Sequence, residues 1–200
     1  MEAYSNCGEV ELLLNGRSLG KKLRNADDSP RIWKAAWEQG TLVAIGRNGG
    51  SVVARHELRT AGALARIRLT ADKTRLAPSW EDVAFITATI VDQNGIPVPD
   101  ASNLVSFKIT GPGTIAAVDN GDNASVEPFH ASERHAYQGS CLAMIRATAE
   151  RGKITITASA PGLIRNSICV TTEATPRNWE IRAPSNAISY RGFAMLTPGY

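Results

Sequence analysis

Glu9-Val10-Glu11-Leu12-Leu13-Leu14-Asn15-Gly16-Arg17-Ser18-Leu19-Gly20 decides the fold class. It opens on charged and apolar residues in alternation, the period of a strand with one wet face and one dry one. Asn15-Gly16 then separates two such runs, and both residues tolerate the positive φ that a type I′ turn demands. The segment predicts a β-hairpin. Outward from it the same pattern repeats. A polar loop from Asn25 to Pro30 leads into the short run Ile32–Trp37 and a strand at Thr41-Leu42-Val43-Ala44-Ile45-Gly46. Asn48-Gly49-Gly50 is a second hairpin turn, and Ser51–Leu58 returns from it. Trp37 alternates with Ala35, which places it in the core of this first unit. Trp33 and Trp37 share a helical spacing, but the run is too short to support a helix. Ala61-Gly62-Ala63 is a junction of small residues, so the predicted units are 1–62 and 63–172.

The second unit restarts the rhythm. Ile67 and Leu69 alternate with Arg66, Arg68 and Thr70, and Val83–Val91 is rich in β-branched residues before the turn Asp92-Gln93-Asn94-Gly95. Leu104–Thr110, Thr114–Val118, Ser140–Ala147, Lys153–Ala160 and Asn166–Thr171 complete about seven strands. Short strands punctuated by Gly, Pro and Asn turns indicate a sandwich. The expected fold is all-β, two immunoglobulin-like β-sandwich domains in tandem. Beyond Thr172 the alternation fails, and 173–200, with Pro176, Pro184 and Pro198, reads as a tail or an incomplete element.

Composition narrows the function. The 200 residues are 43% hydrophobic and 20% charged with a net charge of +3, ordinary values for a globular chain. Basic residues are scattered along strands rather than clustered, which argues against nucleic acid as a partner. No stretch approaches the ~18 apolar residues of a spanning helix, so a membrane is not an expected partner. The N-terminus lacks the basic and apolar regions of a signal peptide. Three cysteines, Cys7, Cys141 and Cys169, form no CxxC pair, so buried free thiols are expected and a zinc site is not. A bridge between Cys141 and Cys169 is the alternative.

Two series of residues carry a family resemblance. The first is Tyr4-Ser5-Asn6-Cys7-Gly8-Glu9-Val10-Glu11-Leu12, Leu14-Asn15-Gly16-Arg17-Ser18-Leu19-Gly20 and Gly40-Thr41-Leu42-Val43-Ala44. The second includes Val91-Asp92-Gln93-Asn94-Gly95, Pro99 to Phe107, Val118-Asp119-Asn120-Gly121-Asp122, Glu127-Pro128-Phe129 and Tyr137 to Leu142. Together they resemble the C-terminal region of glycoside hydrolase family 2 enzymes of the β-galactosidase type, over roughly residues 2–172. The resemblance implies two non-catalytic immunoglobulin-like domains attached to a (β/α)₈ barrel that holds both catalytic glutamates. A barrel needs about 250 residues and alternating helices, which this chain does not supply. The chain is therefore expected to be a truncated product or a cloned piece, its first unit starting inside a strand pair. The implied partner is the barrel, with carbohydrate as a second candidate and oligomerisation through the parent enzyme. The resemblance points to the periplasm or exterior of a bacterium, whereas an odd cysteine count fits the cytoplasm equally well.

No residue here is expected to be catalytic, and no cofactor is implied. Retaining hydrolysis needs two carboxyl groups about 5–5.5 Å apart, one with a raised pKa. Asp27 with Asp28, and Glu81 with Asp82, are adjacent acids on polar loops and read as solvated. Asp119 and Asp122 are the weaker candidate, for a calcium ion. Hard cations want six to eight oxygens, so an Asx-type turn is the plainer reading. His56 lies among strand residues, while His130 and His135 fall in an expected loop, and no Gly-x-Ser-x-Gly elbow accompanies them. Trp80, in Pro78-Ser79-Trp80-Glu81, is the candidate contact residue, for carbohydrate or for a neighbouring domain. The competing readings are a carbohydrate-binding module and a spacer like those of bacterial surface adhesins, suggested by Asp92 to Val98.

Overall fold

The structure, a computed structural model, describes residues 1–173, and the expected tail lies almost wholly outside them. The described residues form fifteen strands and no helix. The first six are β1 (Glu2–Ala3), β2 (Glu9–Leu14), β3 (Arg17–Leu23), β4 (Arg31–Ile32), β5 (Thr41–Asn48) and β6 (Ser51–Arg59). Four of them make an antiparallel sheet in the order β3-β2-β5-β6, and β1 pairs with β4 as a separate ribbon.

The Asn15-Gly16 turn forms as its residues require, with φ of 51° and 79°. Asn15 has a second task. Its Oδ1 accepts the Thr41 amide at 2.8 Å and its Nδ2 donates to the Gln39 carbonyl at 3.1 Å. That latch presses on Gly40, where an added Cβ would lie 1.8 Å from Asn15 Oδ1, so only glycine fits. Along β2, Val10, Leu12 and Leu14 are buried while Glu9, Glu11 and Leu13 are partly exposed. Val10 and Leu12 join Cys7 and Trp33 in a small core, with Ala3, Leu19, Leu42 and Ala44 at its margin. The ribbon and Trp33 thus roof β3, β2 and part of β5, and leave β6 largely exposed.

Trp37 is not part of that core. It is 81% exposed, and Trp33 takes the buried position instead, its indole N–H donating to the Gly20 carbonyl at 3.1 Å. Backbone pairing ends at Trp33, whose amide donates to the Met1 carbonyl and whose carbonyl accepts from the Met1 amine, both at 2.9 Å. Beyond it, period-2 parity no longer governs which side chains turn inward, so alternation from Ala35 misplaces Trp37. Beside Trp33, the buried guanidinium of Arg31 donates to the carbonyls of Leu23, Ser5 and Cys7.

The other strands are β7 (Leu64–Ala71), β8 (Arg75–Leu76), β9 (Val83–Asp92), β10 (Leu104–Thr110), β11 (Gly113–Asp119), β12 (Glu133–His135), β13 (Ser140–Ala147), β14 (Gly152–Ser159) and β15 (Asn166–Thr172). They form a five-stranded sheet, β12-β10-β14-β15-β8, and a four-stranded one, β11-β13-β9-β7. Ile86, Ala88 and Ile90 of β9 share one core with Ile154 and Ile156 of β14. Two strands exceed the sequence expectation. β8 joins β15 in parallel through two residue pairs. β12 places His135 in a strand rather than a loop. Both are too short to show a period.

Between the two sets of sheets the chain runs from Arg59 to Leu64. Asp92, buried at the end of β9, holds this segment. Its Oδ2 accepts the Gly62 amide at 2.9 Å, and its Oδ1 accepts those of Asn94 and Ile96 at 2.9 and 2.8 Å.

Candidate functional site

Trp80 stands on the loop between β8 and β9, which Asp82 closes by accepting the Ala77 amide at 2.6 Å and the Lys73 ammonium at 2.7 Å. These bonds, that to Lys73 foremost, hold the Asp82 carboxyl below its usual pKa. Asp82 is therefore a structural acid rather than a freely solvated one. The indole is 83% exposed and lies over the Arg146 guanidinium of β13 at 3.8 Å from its centroid. The cation–π stack orients the ring. Sequence spacing carried no sign of it, since the two residues lie 66 positions apart.

The Asp119 loop is organised inward. Asp119 Oδ1 accepts the Asn120 and Gly121 amides at 2.7 and 3.2 Å, and Asn120 Oδ1 accepts that of Asp122 at 3.0 Å. Arg134, only 1% exposed, brings its guanidinium within 3.5 Å of Asp119 and 3.6 Å of Glu127 and lies over the Phe129 ring. A fixed cation there opposes a second one, and among the described residues no group of three or more His, Cys, Asp or Glu converges as metal ligands. Glu127 also binds His135 Nδ1 at 2.8 Å. His56 and His130 are exposed on the surface.

The third region is a groove of 1280 Å³ at the junction, lined by Trp37, Leu58, Leu64, Ile96, Pro97 and Pro99 among others. Two acids at its rim are already paired: Glu38 with Arg17 at 2.6 Å, and Glu57 with Arg59 and Arg55 at 2.6 and 2.7 Å. The bonds from Arg59 and Arg55 depress the Glu57 pKa. Indeed every carboxyl group among the described residues with a displaced pKa is displaced downward. A glycosidase's general acid needs the opposite shift. The groove can bind apolar surface.

The cysteines are all free, as expected, but only Cys7 and Cys141 are buried; Cys169 is exposed on β15. On β15, a single strand position separates burial of Val170 from exposure of Cys169.

Two tandem sets of β-sheets with an apolar groove at their junction define an all-β unit. Residues 67–169 match glycoside hydrolase family 2 C-terminal domain 5, and the chain belongs to that family. Residues 1–54 match a family described only as a domain of unknown function. The chain is 40% identical over 170 residues to the β-galactosidase BoGH2A of Bacteroides ovatus, an alignment covering 85% of this chain and 20% of that protein. A solved family 2 member from Bacteroides cellulosilyticus superposes with a TM-score of 0.80 at 38% identity, over 85% of this chain and 22% of the other. A β-glycosidase from Bacteroides vulgatus gives 0.81 at 31%, over 84% and 22%. The chain spans about a fifth or less of the length of the curated relatives it matches.

Proposed function

We propose that the chain is a pair of non-catalytic accessory domains, divided near residue 62, of an enzyme that hydrolyses terminal β-galactosides or related β-glycosides. The match of residues 67–169 to a family 2 C-terminal domain, in a chain that spans a fifth of its relatives, carries this reading. The groove beside Trp37 would receive apolar surface from the enzyme's catalytic (β/α)₈ barrel, so that barrel and accessory domains share one buried seam. The reading keeps the periplasmic or extracellular setting, which protease treatment of intact cells would test. Sequencing the gene upstream of the Met1 codon tests the main claim. A barrel-coding region in frame supports it; a stop codon in frame with no such region overturns it.

A second reading rests on Trp80. Arg146 backs one face of the indole and leaves the other to solvent, the arrangement of a platform for the apolar face of a sugar. Calorimetric titration with galactans and other polysaccharides separates the two readings. Binding abolished by Trp80→Ala favours the carbohydrate-binding module, and no heat across the panel removes it.

A further inference from the structure

Among the described residues, β6 is the longest strand at a sheet edge, nine residues with eight of them exposed. Long exposed edges are templates for another strand. Its pairing shows which backbone groups are free. Thr41, Val43 and Ile45 of β5 stand opposite Arg59, Glu57 and Arg55. The next pair outward is hydrogen-bonded, with the Thr60 amide donating to the Gly40 carbonyl at 2.8 Å. Bonded and non-bonded pairs alternate in an antiparallel ladder. Ala54, His56 and Leu58 therefore bond to β5, and the amides and carbonyls of Arg55, Glu57 and Arg59 point away from it.

We propose that β6 pairs with the β6 of a second copy of this chain, antiparallel about a two-fold axis at His56. Charge and paired length together select this register, since an axis at Leu58 would set Glu57 against the partner's Arg59 but would pair only residues 57–59 of β6. A two-fold axis at Arg55 would set Arg55 against the partner's Arg55. An axis at Glu57 would set Glu57 against the partner's Glu57. Only the axis between them, at His56, sets Arg55 against the partner's Glu57 while keeping the whole run from Ala54 to Leu58 paired. The contact is isologous, so the favourable pair occurs twice. On the opposite face Ala54 meets the partner's Leu58. The result is one continuous eight-stranded sheet whose free edge groups are satisfied. Glu57 keeps its bond to Arg59 within its own strand, which holds its carboxylate ionised for the pair across the axis.

Sedimentation equilibrium of the full 200-residue chain over a concentration series tests the pairing. The expected species is a dimer of twice the 21.4 kDa chain mass. Glu57→Arg turns both cross-strand pairs into repulsions and is expected to weaken dimerisation about tenfold or more. The double variant Arg55→Glu/Glu57→Arg restores opposite charges across the axis and is expected to recover the dimer. Val126→Ala, on the exposed loop between β11 and β12, is expected to leave it unchanged. Circular dichroism confirms that each variant is folded. A chain that stays monomeric at every concentration overturns the proposal. So does a dimer that survives Glu57→Arg, or a double variant that fails to recover while folded.

Discussion

Arg134 shows how one side chain can organise a loop that sequence inspection assigns to ions. Its guanidinium is fully buried between Asp119, Glu127 and the Phe129 ring, and donates to the Glu127 carbonyl at 2.8 Å. Removing the buried cation leaves the Glu127 carbonyl and two partly exposed carboxylates without the group they surround. Arg134→Met is expected to destabilise the second unit by about 3 kcal/mol in urea unfolding, with the slope of the transition unchanged. An Arg between acidic residues has no sequence signature, because Asp119 and Arg134 meet only through folding. Cysteine reactivity gives a second residue-scale expectation. Burial, with Glu127 nearby, pushes the Cys141 thiol up to about 12, and Cys7 is likewise buried. Thiolate is the reactive form. A disulfide reagent at pH 8 should therefore titrate one thiol quickly, at Cys169, and the other two only after denaturation.

At the scale of elements, the strands were legible because alternation and turn residues are local. Ser140–Ala147 and Leu104–Thr110 form as read, and Asn15-Gly16 turns as its conformational tolerance requires. What stayed hidden depends on pairing across the chain. β8 and β12 exist only because β15 and β10 offer them an edge. The exchange of Trp33 for Trp37 has the same origin, since the Gly20 carbonyl that receives the Trp33 indole lies on another strand. Of the site, Trp80 could be named from its loop, but the Arg146 beneath it could not. Asp92 lies between these cases. A turn was readable in Asp92-Gln93-Asn94-Gly95, whereas the bond from Gly62 to Asp92 was not. That bond and those from Ile96 and Asn94 hold the Asp92 carboxyl below its usual pKa. A carboxyl with a depressed folded pKa contributes stability above its unfolded value near 4 and loses it as pH falls through the folded one. Asp92→Asn should lower the melting temperature by roughly 5 °C at pH 7. The gap between the two proteins should close below about pH 4, as the wild-type carboxyl takes up its proton.

At the scale of the whole molecule, the groove and the β6 edge offer two different kinds of surface. One is a concave apolar seam at the junction, and the other is a line of free backbone groups with complementary charge. On the proposed accessory role, the glycosidic chemistry of the family is expected to lie outside residues 1–173. The most direct measurement is release of chromophore from a nitrophenyl β-galactoside, and from the matching β-glucuronide, by the purified 200-residue chain. No turnover above the rate without protein is expected at any pH from 4 to 8. Steady turnover that follows the chain through purification, and is lost when a carboxylate within it is replaced, would contradict the accessory role.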